Sequence, residues 1–293
     1  MITRVTTQMS MAAATGRLQA GAAKLAQLTE QATTLKAIGK PSDDPVGTAS
    51  SMQVRKDQAA NAQYTRNADD AAGWLATTDS ALGGVYDVLA KVRDLTVQAA
   101  NSGTMSDADR DAFVTQFRAL SADLQASANT QYGSRSVFAG ASPAATAYDP
   151  TTGWAPSSAP VDRRIGDGST VRVDTPGASV FGSGSTSVFA MIDSIVGDLQ
   201  NGVNVNSRLN DVDAHIATVR GAQADVGVRH AAAIAAQSSL KSSSVDLETR
   251  RSSIEDKDLA GAVLDLQVQQ TNYQAALAVT AKVLQPTLMD YLR

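Results

Sequence analysis

The chain has 293 residues, a formal net charge of −4 and no cysteine. Those facts exclude a disulfide framework, a thiolate nucleophile, a cysteine-based zinc site and the broad basic field that nucleic acid needs. Charged residues make up 18% and aromatics 4%, against about 25% charge in an average globular domain, so the composition suits thin helical packing better than a thick core.

With two histidines, His215 and His230, histidine-rich metal chemistry is not expected. The opening Met1–Thr7 has no apolar run of signal-peptide type, so a cleaved export signal is not expected either. The longest apolar run, Ala231 to Ala236, falls far short of the roughly 20 residues of a membrane span.

The first element is helical. Met11, Ala14, Leu18, Gly21, Leu25, Leu28, Ala32 and Leu35 step by three and four, an a/d seam over about four heptads. The seam is light, because Ala and Gly share it with Leu. Gly39-Lys40-Pro41 is expected to stop the helix. Asp43 and Asp44 follow, in a turn bounded by Pro41, Ser42 and Pro45. Adjacent carboxylates in such a turn rarely point at one site. They read as turn formers and as a cap for the helix after Pro45, not as metal ligands.

A second helix is predicted over about 48–100, with Ala71, Trp74, Thr78, Ala81, Val85, Val88, Val92, Leu95 and Ala99 on one stripe. Leu75, Leu82 and Leu89 widen that stripe, which implies more than one neighbour. Asn101-Ser102-Gly103 breaks the pattern. Ser106 with Asp109 is a capping-box variant, with Asp in place of Glu. It opens a third helix carrying Phe113, Phe117, Leu120 and Leu124.

Between Gly133 and Ser187 lie five of the eight prolines. Short runs there, Ser136–Phe138, Thr170–Val173 and Ser179–Phe181, predict a small β insert with long turns. Trp154 is either the core of that module or exposed for a partner. Gly182-Ser183-Gly184 and Gly166-Asp167-Gly168 lack the context of a nucleotide fingerprint.

Helix returns with Val188, Met191, Ile192, Ile195 and Leu199. From Val205 to Leu247 an alternation of four and three then runs unbroken, through Leu209, Val212, Ile216, Val219, Val226 and Leu240. This predicts a helix of roughly 65 Å. His230 reads as a packed residue of the stripe, and His215 as part of a solvated face. The Arg250-Arg251 pair is too small a basic patch for nucleic acid and reads as an ion-pair partner of Glu248, Glu255 or Asp256. The phase shifts over Ser252–Asp258, by a stutter or a break. It resumes as Leu259, Val263, Leu266, Gln270, Tyr273, Leu277, Thr280 and Leu284, with Pro286 kinking or ending the helix before Leu288 and Leu292.

The expected fold is mainly α with a small β insert: an elongated helical hairpin whose terminal seams pair as a coiled coil, with a β-rich tip domain. Residues 1–40 with 255–293 form the coil, 41–134 with 187–254 the helical body, and 135–186 the tip. Seams this light fit either a stable intramolecular hairpin or a segment that orders on assembly. No clustered polar site of the kind an active site needs is legible, so no catalytic residue, no cofactor and no metal is expected, and the chain is not read as an enzyme.

Several motifs then carry a resemblance. They are Gly39-Lys40-Pro41-Ser42-Asp43-Asp44-Pro45, Gln63-Tyr64-Thr65-Arg66-Asn67, Leu95–Asn101 followed by Asp109-Arg110, and Val137-Phe138-Ala139-Gly140. Near the end stand Ser252-Ser253-Ile254-Glu255-Asp256-Lys257-Asp258 and Leu288-Met289-Asp290-Tyr291-Leu292. In this order the chain resembles the bacterial flagellin family. The Pro-Ser-Asp-Asp-Pro turn and a start without the Asn-rich opening of filament subunits resemble the members that join hook to filament; the alternative is a short flagellin that builds the filament itself.

The resemblance implies a secreted, extracellular structural protein of the flagellum, exported through the type III channel. It implies a ring of about eleven subunits, closed as a cyclic assembly. Its partners would be copies of itself, hook-associated protein 1, flagellin and an export chaperone, with no nucleic acid and no membrane. Leu18, Leu25, Leu28, Leu35, Leu259, Val263, Leu266, Leu277, Leu284 and Leu288 are the expected assembly contacts.

Overall fold

The structure, a computed structural model, describes residues 2–101, 105–142, 144, 146–155 and 159–284, without the side chains of 2–8, 10, 283 and 284. Pro143, Pro156, Ser102, Gly103, Pro286, Leu288 and the ending Met289-Asp290-Tyr291-Leu292 lie outside the described residues. The chain divides into two compact units, Asn61–Ser243, and Met1–Ala60 together with Ser244–Arg293.

The helices are α1 (Ile2–Thr34), α2 (Pro45–Asn101), α3 (Asp107–Ala128), α4 (Gly177–Phe181), α5 (Val188–Gln200), α6 (Leu209–Glu255) and α7 (Leu259–Leu284). In the Asn61–Ser243 unit, α2, α3, α5 and α6 share one core. Trp74, Leu75, Leu82, Val85, Leu89 and Val92 of α2 are fully buried. They meet Val114, Phe117 and Leu124 of α3, Ile192 and Ile195 of α5, and Val212, Val219 and Val226 of α6. Both edges of the wide α2 stripe are therefore used.

The helix ends follow the local chemistry. At α3, the Ser106 hydroxyl accepts from Asp109 N–H at 3.2 Å and the Asp109 carboxylate accepts from Ser106 N–H at 3.3 Å, the reciprocal box read from sequence. The long periodic segment starts as a 3-10 turn, Val205–Arg208, opened by the Asn204 side chain accepting from Asn206 N–H at 2.8 Å. Helix α6 then runs 47 residues without interruption, about 70 Å at 1.5 Å per residue. His215 is half-buried, not solvated, and burial pushes its pKa down against the opposing charge of Asp211.

The β segment is three separate antiparallel pairs. These are β1 (Gln131–Tyr132) with β2 (Arg135–Ser136), β3 (Tyr148–Asp149) with β4 (Gly153–Trp154), and β5 (Asp162–Gly166) with β6 (Ser169–Arg172). In the last, Asp162 faces Arg172 and Arg163 faces Val171, with an irregularity between Arg164 and Gly166. Two sequence expectations fail here. Val137 and Phe138 lie in a turn after β2, and Ser179–Phe181 is the last turn of α4, whose start is fixed by Ser179 N–H and hydroxyl both donating to Pro176 O. The apolar residues in these runs mark burial, not strand.

That burial builds a ring cluster from three of the five phenylalanines and one of the two tryptophans. Phe181 meets Phe138 edge-on at 5.3 Å, Trp154 at 5.3 Å and Phe189 at 6.2 Å, while Tyr148 stacks on Phe189 at 4.1 Å. Trp154 is half-buried and its indole N–H donates to Gly182 O at 2.8 Å, which settles it as a core residue of this region. Gly177 is required, since a Cβ there would sit 2.0 Å from the Trp154 ring.

Candidate functional site

The remaining unit, Met1–Ala60 with Ser244–Arg293, is built on α1 and α7, which pack against each other. The α1 face toward α7 is the one legible in the sequence. Leu28 is buried, and Ala14, Leu18, Gly21, Leu25 and Ala32 are half-buried. On α7, Ala262 is buried, and Leu266, Gln269, Tyr273 and Thr280 are half-buried. A Cβ at Gly21 would stand 3.2 Å from the Tyr273 ring, and Gln269 donates to Gly21 O at 3.3 Å. With Lys257 donating to the Gln31 side chain at 3.3 Å, the two helices run antiparallel.

The inward face of α7 differs from the seam read in the sequence. Leu266, Tyr273 and Thr280 belong to both. Leu259, Val263 and Leu277 flank that face and stay 56%, 49% and 43% exposed. Leu264, Val268 and Val279 form the outward stripe. The α7 sequence carries only Asp265 and Lys282 as charges, and its uncharged polar residues, Gln267 and Gln269–Asn272 among them, fall among apolar ones on every side. Periodicity alone does not select a face in such a helix. Leu284 ends α7, and its side chain lies outside the described residues, as does Leu288.

Where α1 ends, a polar clasp ties it to the start of α7. Helix α1 stops at Thr34, earlier than Gly39-Lys40-Pro41 implies, because Leu35 adopts φ 55°. The left-handed conformation costs a non-glycine residue roughly 1–2 kcal/mol. It lets Leu35 O accept from Lys257 N–H at 2.9 Å and Ala37 N–H donate to Glu255 O at 2.7 Å. Lys36 and Asp256 thus face each other as an antiparallel bridge, and their side chains form an ion pair. Leu35 itself is 40% exposed. The break between α6 and α7 at Asp256–Asp258 is the other half of this clasp.

Glu255 is its buried centre. Its side chain is 6% exposed and accepts from the Ser51 hydroxyl, from Arg55 Nε at 2.9 Å and from Arg55 Nη2 at 2.8 Å; Lys36 Nζ lies 3.7 Å away. The Ser51 hydroxyl above all, with the Arg55 and Lys36 charges, holds the carboxyl below the usual glutamate range against the opposing effect of burial. A buried carboxylate needs this many donors. Of the neighbouring arginines read as ion-pair partners, Arg251 pairs with Glu248.

The acidic turn does what its position suggests. Asp43 Oδ2 accepts from Gly39 N–H at 3.2 Å and Lys40 N–H at 2.9 Å, closing the turn. Asp44 Oδ1 accepts from Val46 N–H at 3.1 Å and Gly47 N–H at 2.9 Å, capping α2 with Pro45 as its first residue. Pro41 and Ser42 are exposed around it. Asp44→Ala is expected to cost about 1 kcal/mol, the usual value of an N-cap, read from the denaturation midpoint, while Asp44→Asn stays near wild type. Among the described residues no group of His, Asp and Glu could hold a metal ion, and no helix is long and apolar enough to cross a membrane.

Comparison with known proteins fits this architecture. Residues 5–142 match the bacterial flagellin N-terminal helical region, and residues 197–292 the bacterial flagellin C-terminal helical region. The flagellar hook-associated protein 3 of Salmonella typhimurium is 28% identical over 219 residues, which is 70% of this chain and 69% of the relative. The fold is shared with FlgL of Xanthomonas campestris at a TM-score of 0.61 and 18% identity, covering 68% of this chain and 99% of that one. It is shared also with the flagellar junction protein FlgL of Legionella pneumophila, at 0.53 and 13%, covering 63% and 99%. With both helical regions matched and the fold in common, the chain belongs to the bacterial flagellin family.

Proposed function

We propose that the chain is a structural adaptor of the bacterial flagellum, joining the hook to the flagellin filament, and that it performs no catalysis. The observation that carries this reading is the pairing of α1 with an α7 that keeps apolar residues on its outward sides, in a chain similar over most of its length to a hook-associated protein. Exposed apolar stripes of this size on a helix mark a surface that another chain covers. Residues 1–40 with 255–293 form the inner layer of the assembly, 41–134 with 187–254 its body, and 135–186 an outward-facing domain.

Copies of the chain close a ring of about eleven subunits through repeated heterologous contacts. Hook-associated protein 1 binds on the hook side and flagellin on the filament side. The chain leaves the cell through the flagellar export channel, held before that by an export chaperone, and works outside the cell. Leu18, Leu25, Leu28 and Leu266 keep α1 and α7 paired, and Leu259, Val263, Leu277, Leu284 and Leu288 meet neighbouring subunits.

Immunogold electron microscopy of intact cells, with antibody raised against residues 133–186, tests the reading. A narrow band of label at the boundary of hook and filament is expected. Label along the whole filament would make the chain a short flagellin, and a flagellum without label would remove the assignment altogether.

A further inference from the structure

The α1–α7 seam is weak by its own composition. Its half-buried positions include Ala14, Gly21 and Ala32 on one helix and Gln269 and Thr280 on the other. Seams with small and polar residues fix neither their strength nor their register well. Yet at one end of this pair the chain sets a strained residue, Leu35, inside a two-bond backbone bridge, and surrounds a buried carboxylate with Ser51, Arg55 and Lys36. Strained conformations persist where the surroundings over-determine them, and they point to a role for the place where they occur.

We infer that Glu255 is a positioning residue: the clasp it completes holds α1 in place on α7, which the seam alone does not do. The inference rests on the proposed role of the α1–α7 pair, because it explains how the outward stripe of α7 is held in one presentation. Glu255 acts from both its ends. Its backbone carbonyl takes Ala37 N–H, and its side chain ties Lys36, next to the strained Leu35, to Ser51 and Arg55 in the first turns of α2. With the clasp open, Leu35 is left with two side-chain bonds around it, Gln31 Nε2 donating to Ala37 O at 3.0 Å and Lys36 N–H donating to Thr34 Oγ1 at 3.4 Å, too little to hold it at positive φ. Residues 35–38 (Leu-Lys-Ala-Ile) then return to right-handed helix, as their good helix propensity favours, and α1 continues toward Gly39. That extension removes the partners of Lys257 N–H and Glu255 O, so α1 and the start of α7 separate together.

Amide exchange on the full chain tests this. Glu255→Gln keeps the shape but loses the charge. It is expected to speed exchange about tenfold in α1 residues 18–34 and α7 residues 262–280, the equivalent of one lost charged hydrogen bond. Exchange at the α2–α3 core around Leu82, Val85 and Phe117 should not change.

A rescue separates positioning from general stability. Lys36 and Asp256 are the non-hydrogen-bonded partners of the bridge, the pair type with the closest side chains. Since the chain has no cysteine, Lys36→Cys with Asp256→Cys gives one defined crosslink. In the Glu255→Gln background the oxidised pair should restore slow exchange in α1 and α7, and reduction should abolish it. Unchanged exchange in Glu255→Gln, faster exchange throughout the core, or no recovery on oxidation would each overturn the inference. The measurement needs no flagellum, so it stands or falls apart from where antibody label lies on the cell.

Discussion

Phe181→Ala is expected to destabilise the Asn61–Ser243 unit by about 3–5 kcal/mol, the range for removing a buried aromatic ring. Phe181 is 1% exposed and contacts three other rings, those of Phe138, Trp154 and Phe189. The ring lies at the end of α4, followed by Gly182 at φ 76°, whose Cβ would meet Thr186 O at 2.4 Å. Gly182 already packs close to the Thr186 backbone, which leaves the chain little room to shift into the space. Relaxation is what lowers the cost of a truncation, and this site resists it. Part of the loss is ring-specific, since edge-on and offset pairs add about 0.5–1.5 kcal/mol beyond area. Urea unfolding followed by tryptophan fluorescence reads it, because Trp154 is itself a member of the cluster. Val228, 72% exposed on α6, is the control, and Val228→Ala should leave the midpoint near wild type. A Phe181→Ala midpoint equal to that of the control would show that the rings do not hold this region together.

The helical half of this architecture was legible because its signals are local and repeated. The Ser106/Asp109 box, the α2 stripe through Trp74 and Val92, and the long alternation up to Leu247 each occur as read. The Asp43-Asp44 turn was legible for the same reason, since capping depends on a few adjacent residues. The failures share a cause, which is that distant residues decide the outcome. Nothing between Leu28 and Gly39 announces that α1 stops at Thr34; the stop depends on Glu255 and Lys257, more than 200 residues away. Ser179–Phe181 has strand-like composition, yet Phe181 is held by rings from three separate segments, and the backbone that delivers it there is helical. On α7 the seam read in the sequence and the covered face share Leu266, Tyr273 and Thr280 but part at Ala262 and Gln269, because apolar and uncharged polar residues mix on every side of that helix. A surface apolar on several sides conveys that it will be covered without saying by which partner, and this ambiguity is itself a property of an assembling helix.

Val268→Asp with Val279→Asp is expected to leave the free chain folded and to abolish its addition to the flagellum. Both side chains are more than half exposed, on the side of α7 away from Tyr273, so replacing them removes little packing from the single chain, and substitutions at such positions are usually within about 0.5 kcal/mol. In an assembly that covers this stripe, each carboxylate would instead lose its water. The effective penalty is several kcal/mol per buried ion. Every 1.4 kcal/mol is about tenfold in affinity, so two such charges would weaken each subunit contact by several orders of magnitude. A ring repeats that contact at every subunit, and the loss is then felt all round. Leu266→Asp is the informative comparison. Leu266 faces α1, so its replacement should unpair α1 and α7 in the free chain and register as lost helix in circular dichroism, whereas the outward pair should not. Cells carrying only the outward double variant are expected to make hooks without attached filaments and to be non-motile. Filaments of normal length on those hooks, with normal motility, would place the assembly surface somewhere other than the outward side of α7.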